Sequence, residues 1–316
     1  MNLLFYSAGG DAADWLAALS RALPAARVHA WDAGAEDAAR TQPSHAVDYA
    51  LVWKPPPPLL PRLGSVKAIF NLGAGVDTLA GIDRLPPSVP VVRLEDAGMA
   101  EQMAEYVACV VLARFRDFEA YAAAQRAAAW RPLPRQDKHC FGVGVLGIGV
   151  LGTAVAAALR AFGFPLFGWS RTRKHVAGVE SYAGRAELDA FLGRCRVLVC
   201  LLPLTVDTRG LLDRRTLSRL PAGAYVVNVS RGAVIVDEDL LALLDQGRLA
   251  GATLDVFGDE PLPAAHRFWH HPRITITPHV SAVTQVEASV AQIAAKIASL
   301  EAGLPITGIV DRARNY

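Results

Sequence analysis

The chain has 316 residues, 52% of them hydrophobic and 20% charged, with a formal net charge of +2. That composition excludes intrinsic disorder, and the near-balance of 32 basic and 30 acidic residues gives no reason to expect nucleic acid or an anionic membrane as a partner. The length suits two domains of roughly 150 residues each.

In chain order, Leu3–Tyr6 reads as a strand, Ala12–Ala22 as a helix, and Arg27–Trp31 and Tyr49–Trp53 as strands. Four prolines at 55–58 then stop any ladder, because proline has no N–H to donate. Strand-like Lys67–Asn71 runs into the turn Leu72-Gly73-Ala74-Gly75-Val76-Asp77, and Val89–Arg93 follows a Pro-Pro break. Met99–Arg126 contains no Gly or Pro and reads as one long helix. A second alternation follows, with strands at Phe141–Leu146, Pro165–Trp169, Val197–Leu201, Tyr225–Asn228, Gly251–Leu254 and Ile274–Ile276. The helix opening this second half is read as Thr153–Phe162, and a final helix as Thr284–Ala302. Strands alternating with helices predict parallel sheets covered on both faces.

The N-terminal residues read as that first strand rather than as a targeting segment. The longest apolar stretch, Phe141–Trp169, is broken by seven glycines, Pro165 and Arg160, which argues against a membrane span. Four cysteines without a CxxC pair or metal-ligand spacing read as reduced thiols. The expectation is a cytoplasmic protein that binds no metal.

The clearest motif is Gly147-Ile148-Gly149-Val150-Leu151-Gly152, between an apolar strand and an Ala-rich helix. In that context Gly147 permits a tight turn, Gly149 lets the backbone approach a pyrophosphate, and Gly152 lets helix and strand pack closely. The anion would sit at the helix N-terminus. A dinucleotide binder selective for NAD places an Asp or Glu after the next strand. Here that place holds Ser170-Arg171-Thr172-Arg173-Lys174, cations and hydroxyls that suit a 2′-phosphate, so the expected cofactor is NADPH.

Three further blocks carry a family resemblance. Val226-Val-Asn228-Val-Ser230-Arg231-Gly232, Leu254-Asp255-Val256-Phe257-Gly-Asp-Glu260-Pro261 and Thr277-Pro278-His279 resemble the signature segments of the D-isomer-specific 2-hydroxyacid dehydrogenases, as does Gly73-Ala-Gly-Val-Asp77. Taken singly, an Arg after a strand serves equally well in an ordinary ion pair. Three such residues in the family's order at strand ends point to chemistry. The resemblance implies that Arg231, Glu260 and His279 are catalytic: Arg231 grips the carboxylate and carbonyl of a 2-keto acid, His279 donates a proton as hydride arrives, and Glu260 fixes the imidazole. It implies substrate contacts from Leu72, Gly73, Ala74 and Gly75, whose amides would cradle a carboxylate, with Trp53 as a pocket wall. It adds Val150, Leu151, Leu202, Pro203, Val229, Ser230 and Asp255 as cofactor contacts.

The implied architecture is two doubly wound parallel-sheet domains, with a flavodoxin-like substrate domain (1–98 plus 285–316) and a Rossmann cofactor domain (99–284). The implied activity is NADPH-dependent reduction of glyoxylate and hydroxypyruvate. The alternatives are an NAD-linked dehydrogenase of D-lactate or 3-phosphoglycerate, and a cofactor-sensing binding protein. An aromatic arm carrying Phe118, Tyr121 and Trp130 is expected to build a homodimer, with Trp130 a candidate to reach the partner's site.

Overall fold

Residues 1–9, 11–31, 46–76 and 85–312 are described in the computed structural model, and within them two all-parallel sheets form. Asp77 of the glycine turn and residues 313–316 lie outside the described residues. The chain divides into two units, Met1–Gly98 with Thr284–Tyr316, and Met99–Val283.

The first unit contains β1 (Asn2–Ser7), α1 (Ala12–Ala22), β2 (Arg27–Ala30), β3 (Tyr49–Trp53), β4 (Ala68–Asn71) and β5 (Val91–Arg93). Its sheet runs β2-β1-β3-β4-β5, with the order reversing between β1 and β3, as in flavodoxin-like folds. Tyr49–Val52 and all of β4 are buried, as strands covered on both faces must be. The prolines after β3 open a short 3₁₀ turn, Pro57–Leu63, that drops Leu59, Leu60 and Leu63 into the core. The final helix, Val286–Glu301, packs beside α1.

The second unit contains α2 (Met99–Phe115), α3 (Phe118–Arg126), β6 (Val143–Leu146), α4 (Val150–Arg160), β7 (Leu166–Ser170), β8 (Val179–Ala183), α5 (Gly184–Leu192), β9 (Val197–Cys200), α6 (Arg214–Leu217), β10 (Ala224–Asn228), α7 (Asp237–Asp245), β11 (Leu249–Leu254) and β12 (Ile274–Ile276). Its sheet order, β12-β11-β10-β9-β6-β7-β8, is the Rossmann arrangement with one added strand. Side chains alternate strictly between two cores. Val143, Val145, Val197, Val199 and Val227 face α2 and α4, while Leu146, Leu198, Cys200 and Val226 face α5, α6 and α7. This explains why these strands read as unbroken apolar runs.

Three elements differ from the sequence reading. The single helix expected over Met99–Arg126 is two, because Asp117 takes a left-handed φ of 57°. The side chain of Gln136 holds that break, donating to Asp117 Oδ1 at 2.7 Å and to the Arg114 carbonyl. Beyond Phe115, which packs edge-on to Phe141 and Phe164, α3 buries no residue, so no core contact extends the helix. The helix α4 begins at Val150 rather than Thr153, so Val150 and Leu151 supply its first N–H groups. Strand β8 has no counterpart in the sequence reading; as an edge strand with no fully buried residue it lacks the apolar signal.

Leu198 on β9 is fully buried at the centre of the larger sheet. Leu198→Ala should cost about 2–5 kcal/mol of stability, read as a lower urea midpoint. Replacing the exposed Val280 by Ala should leave that midpoint unchanged.

Candidate active site

At the switch point of the larger sheet, β6 ends in a turn that only glycine can make. Gly147 has φ +115°, and a Cβ there would meet the Leu201 backbone at 2.8 Å. A Cβ on Gly152 would lie 2.1 Å from the Gly147 carbonyl oxygen, so this residue sets how closely α4 approaches β6. Gly149, by contrast, faces open space. The first N–H groups of α4 have no partner within the helix and carry the positive end of its dipole. This is a cradle of the right kind for a pyrophosphate. Leu202 and Pro203 follow β9 on the neighbouring side of the switch point, and Thr208 Oγ1 donates to the Pro203 carbonyl at 2.6 Å.

Past β7, the Ser170 hydroxyl donates to the Thr172 carbonyl at 2.8 Å, closing a small turn. Arg173 folds back on the unit, pairing with Glu187 and donating to the Ser181 carbonyl. Arg171 and Lys174 are exposed and have no carboxylate partner among the described residues. The predicted basic cluster is thus two available cations and one that is already engaged.

The three residues singled out for catalysis follow β10, β11 and β12. Arg231 lies three residues beyond β10, where its Nη1 donates to the Ser230 carbonyl and its own carbonyl accepts from Asn228 Nδ2. Ser230 and Val229 are buried; Ser230 donates to Asn228 Oδ1 and lies 3.3 Å from Cys200 Sγ. Gly232 makes the next step possible, since a Cβ there would strike the Phe257 backbone at 2.0 Å. The Arg231 loop and the loop carrying Glu260 therefore touch backbone to backbone. Glu260 Oε1 accepts from the Phe257 amide at 3.0 Å, and Glu260 Oε2 lies 2.7 Å from His279 Nδ1. An ionised carboxylate can only accept, so Nδ1 carries the proton and Nε2 is the nitrogen left for other chemistry.

Asp255, expected as a cofactor contact, also has a role inside the protein. It is fully buried, and both carboxylate oxygens are taken up by the turn bearing His279. Oδ1 accepts from Thr277 Oγ1 at 2.5 Å and from the Val280 amide at 2.9 Å; Oδ2 accepts from the Ser281 amide at 2.9 Å. The His279 amide donates to the Asp255 carbonyl at 2.8 Å. Sequence reasoning missed this internal role, and missed Tyr106, whose hydroxyl is 2.6 Å from Thr277 Oγ1. Burial raises the Tyr106 phenol above its ordinary pKa, which keeps it protonated as a donor. The available signal was Gln102 and Tyr106, two polar positions four apart beside the buried stripe Met103, Val107 and Val111.

In the first unit, Asn71 shapes the glycine turn by donating to the carbonyls of Gly73 and Gly75 at 2.8 and 2.9 Å. The amides of Gly73, Ala74 and Gly75 donate to no protein acceptor among the described residues. Gly73 packs closely against Trp53, where a Cβ would meet the indole at 2.4 Å, and Leu72 is buried. Trp130 is 97% exposed, with Phe118 and Tyr121 also on the surface. Among the described residues no three His, Cys, Asp or Glu side chains are placed to hold a metal ion, and no helix is long and apolar enough to cross a membrane.

Comparison with known proteins adds a family. Residues 108–281 match the family described as D-isomer specific 2-hydroxyacid dehydrogenase, NAD binding domain. A D-isomer specific 2-hydroxyacid dehydrogenase from Xanthobacter autotrophicus Py2, solved with NADPH and MES, is 40% identical over 100% of this chain and 99% of its own, with TM-score 0.93. An NADPH-dependent glyoxylate/hydroxypyruvate reductase from Sinorhizobium meliloti, solved with NADP and sulfate, is 38% identical over the same shares, with TM-score 0.91. A probable 2-hydroxyacid dehydrogenase from Rhizobium etli CFN 42, in complex with NADP, HEPES and L(+)-tartaric acid, is 33% identical over 100% of this chain and 99% of its own, with TM-score 0.89.

Because Asp255 accepts three hydrogen bonds in a dry setting, an amide in its place must turn an N–H toward a donor. Asp255→Asn should therefore lower stability by about 1–3 kcal/mol, measured by denaturant unfolding. An unchanged midpoint would contradict the placement of this carboxylate.

Proposed function

The chain belongs to the D-isomer-specific 2-hydroxyacid dehydrogenase family of oxidoreductases, and from that premise we propose that it reduces small 2-keto acids with NADPH, converting glyoxylate to glycolate and hydroxypyruvate to D-glycerate. The observation that carries this reading is the 2.7 Å contact between His279 Nδ1 and Glu260 at the carboxyl end of a parallel sheet. Reducing the C2 carbonyl adds a hydride at carbon and a proton at oxygen. His279 Nε2 is the proton donor, and Glu260, anchored by the Phe257 amide, keeps the ring in the required tautomer and orientation. Arg231 presents a planar fork to the carboxylate and carbonyl, fixing which carbon is exposed to attack. In the first unit the Gly73, Ala74 and Gly75 amides are offered to a substrate carboxylate beside Leu72 and Trp53.

The bound nicotinamide supplies the hydride. Gly147–Gly152 with the amides of Val150 and Leu151 would hold its pyrophosphate, flanked by Leu202, Pro203, Val229 and Ser230. Asp255 stays among the proposed cofactor contacts, though most of the affinity would come from the pyrophosphate and 2′-phosphate contacts. Ser170, Arg171, Thr172 and Lys174 would take the 2′-phosphate, Arg173 joining them only on leaving Glu187. The lack of a carboxylate at 170–174 favours NADPH over the NAD-linked alternatives. The Sinorhizobium relative, NADPH-dependent by its description, supports the same preference. Arg231, Glu260 and His279 together favour an enzyme over a cofactor-sensing binding protein.

Initial rates of NADPH oxidation with glyoxylate and hydroxypyruvate test the reading, and absence of turnover with either overturns it. Charge-assisted contacts to a phosphate contribute about 1.5–3 kcal/mol each, roughly ten- to a hundredfold. NADPH should exceed NADH in kcat/KM by that factor, and Arg171→Ala should raise KM for NADPH while leaving NADH unaffected. Equal efficiency with both cofactors in the unmutated enzyme would refute the phosphate assignment.

A homodimer is part of the same proposal. The exposed Phe118, Tyr121 and Trp130 give the arm an apolar surface suited to an interface core. Sedimentation should give twice the chain mass at micromolar concentration, with Trp130→Ser weakening association; a monomer would contradict it.

A further inference from the structure

The turn that presents His279 is gripped from one face of helix α2. Gln102 and Tyr106 are four residues apart and so lie on the same face. Tyr106 reaches Thr277, two residues before His279. Gln102 reaches Val283, four residues after it, in a reciprocal pair: its Nε2 donates to the Val283 carbonyl at 2.9 Å, and its Oε1 accepts from the Val283 amide at 3.1 Å. His279 sits between these two grips with φ +56°, a left-handed conformation that a side-chain-bearing residue does not adopt for free.

The direction of the hydrogen bonds follows from proton counting. Asp255 is an acceptor, so the single Thr277 hydroxyl proton points to it. Tyr106 must then donate to Thr277 Oγ1. The result is a one-way chain, Tyr106 O–H to Thr277 O–H to the Asp255 carboxylate, in which each bond polarises the next. The same carboxylate receives the amides of Val280 and Ser281 immediately after His279.

From this arrangement we infer that Tyr106, Thr277 and Gln102 are positioning residues for proton donation: they hold the His279 turn against α2 so that the imidazole has one fixed place for transferring its proton to a 2-keto acid. The inference rests on the reaction proposed above, in which His279 is the donor. None of the three touches the reacting atoms. Their effect passes through Asp255 and the backbone, and it concerns the proton step more than cofactor binding.

The test uses full-length Tyr106→Phe, Thr277→Val and Thr277→Ser. Each is measured for kcat of glyoxylate reduction, NADPH affinity by fluorescence titration, the solvent deuterium isotope effect on kcat, and the ¹⁵N-coupled ring signals of His279. A loosened turn misplaces the donor by a fraction of an ångström to an ångström, so Tyr106→Phe and Thr277→Val should lose roughly tenfold or more in kcat. Their solvent isotope effect should rise as proton transfer becomes slower, while NADPH affinity holds. Thr277→Ser, which keeps the hydroxyl, should restore the parent rate and isotope effect. Unchanged kcat in both Tyr106→Phe and Thr277→Val would overturn the inference. So would a Thr277→Ser enzyme as impaired as Thr277→Val, or rate and NADPH affinity falling in parallel. If the unmutated protein reduced no 2-keto acid, the proposed reaction would fail by itself. The ring signals would then decide the clamp: broadened or shifted in Tyr106→Phe and Thr277→Val supports it, and unchanged overturns it.

Discussion

A carboxylate cut off from water has to be surrounded by donors, and among the described residues every donor to the Asp255 carboxylate comes from one turn. Thr277, Val280 and Ser281 converge on its two oxygens, and the His279 amide closes on its carbonyl. Hydrogen bonds to a charged group are worth about 1.5–3 kcal/mol each, whereas a left-handed residue costs roughly 1–2 kcal/mol. Three such bonds outweigh the strain at His279. The imidazole is therefore held where the turn puts it rather than where its backbone would relax. Glu260 then only has to fix the ring's rotation, through one oxygen on Nδ1 and the other on the Phe257 amide.

The parallel sheet explains why these groups meet at all. Parallel strands end on the same edge, so the loops after β10, β11 and β12 share one rim, and Gly232 lets two of them touch. The same edge carries the glycine turn after β6 and the basic turn after β7. Candidate side-chain chemistry and a candidate anion-binding backbone are thereby assembled from segments far apart in sequence. The strand bodies contribute rigidity: both faces are packed, and nearly every residue of β6, β9 and β10 is inaccessible to water.

Much of this was legible in the sequence. Unbroken apolar runs between Gly- and Pro-rich breaks forecast two parallel sheets, and their order proved to be doubly wound. The glycines at 147, 149 and 152 could be assigned distinct duties, and the structure gives them a tight turn, open space and close packing respectively. The proposed catalytic trio was reached through resemblance rather than periodicity, because an isolated Arg, Glu and His carry no pattern of their own. What stayed hidden depends on contacts between distant residues. The kink at Asp117 needs Gln136, which comes nineteen residues later, and the link from Tyr106 to Thr277 spans 171 positions. The engagement of Arg173 by Glu187 was likewise invisible, since a run of cations reads the same whether or not a carboxylate folds against it.

The proposed reaction depends above all on proton delivery by His279 to the keto acid. Its most direct measurement is kcat for glyoxylate reduction by His279→Ala, with NADPH binding followed by fluorescence on the same preparation. Loss of the donor should lower kcat roughly 10²–10⁴-fold, typical of a positioned acid, with NADPH affinity retained. A variant that binds NADPH and turns over at the parent rate would contradict it.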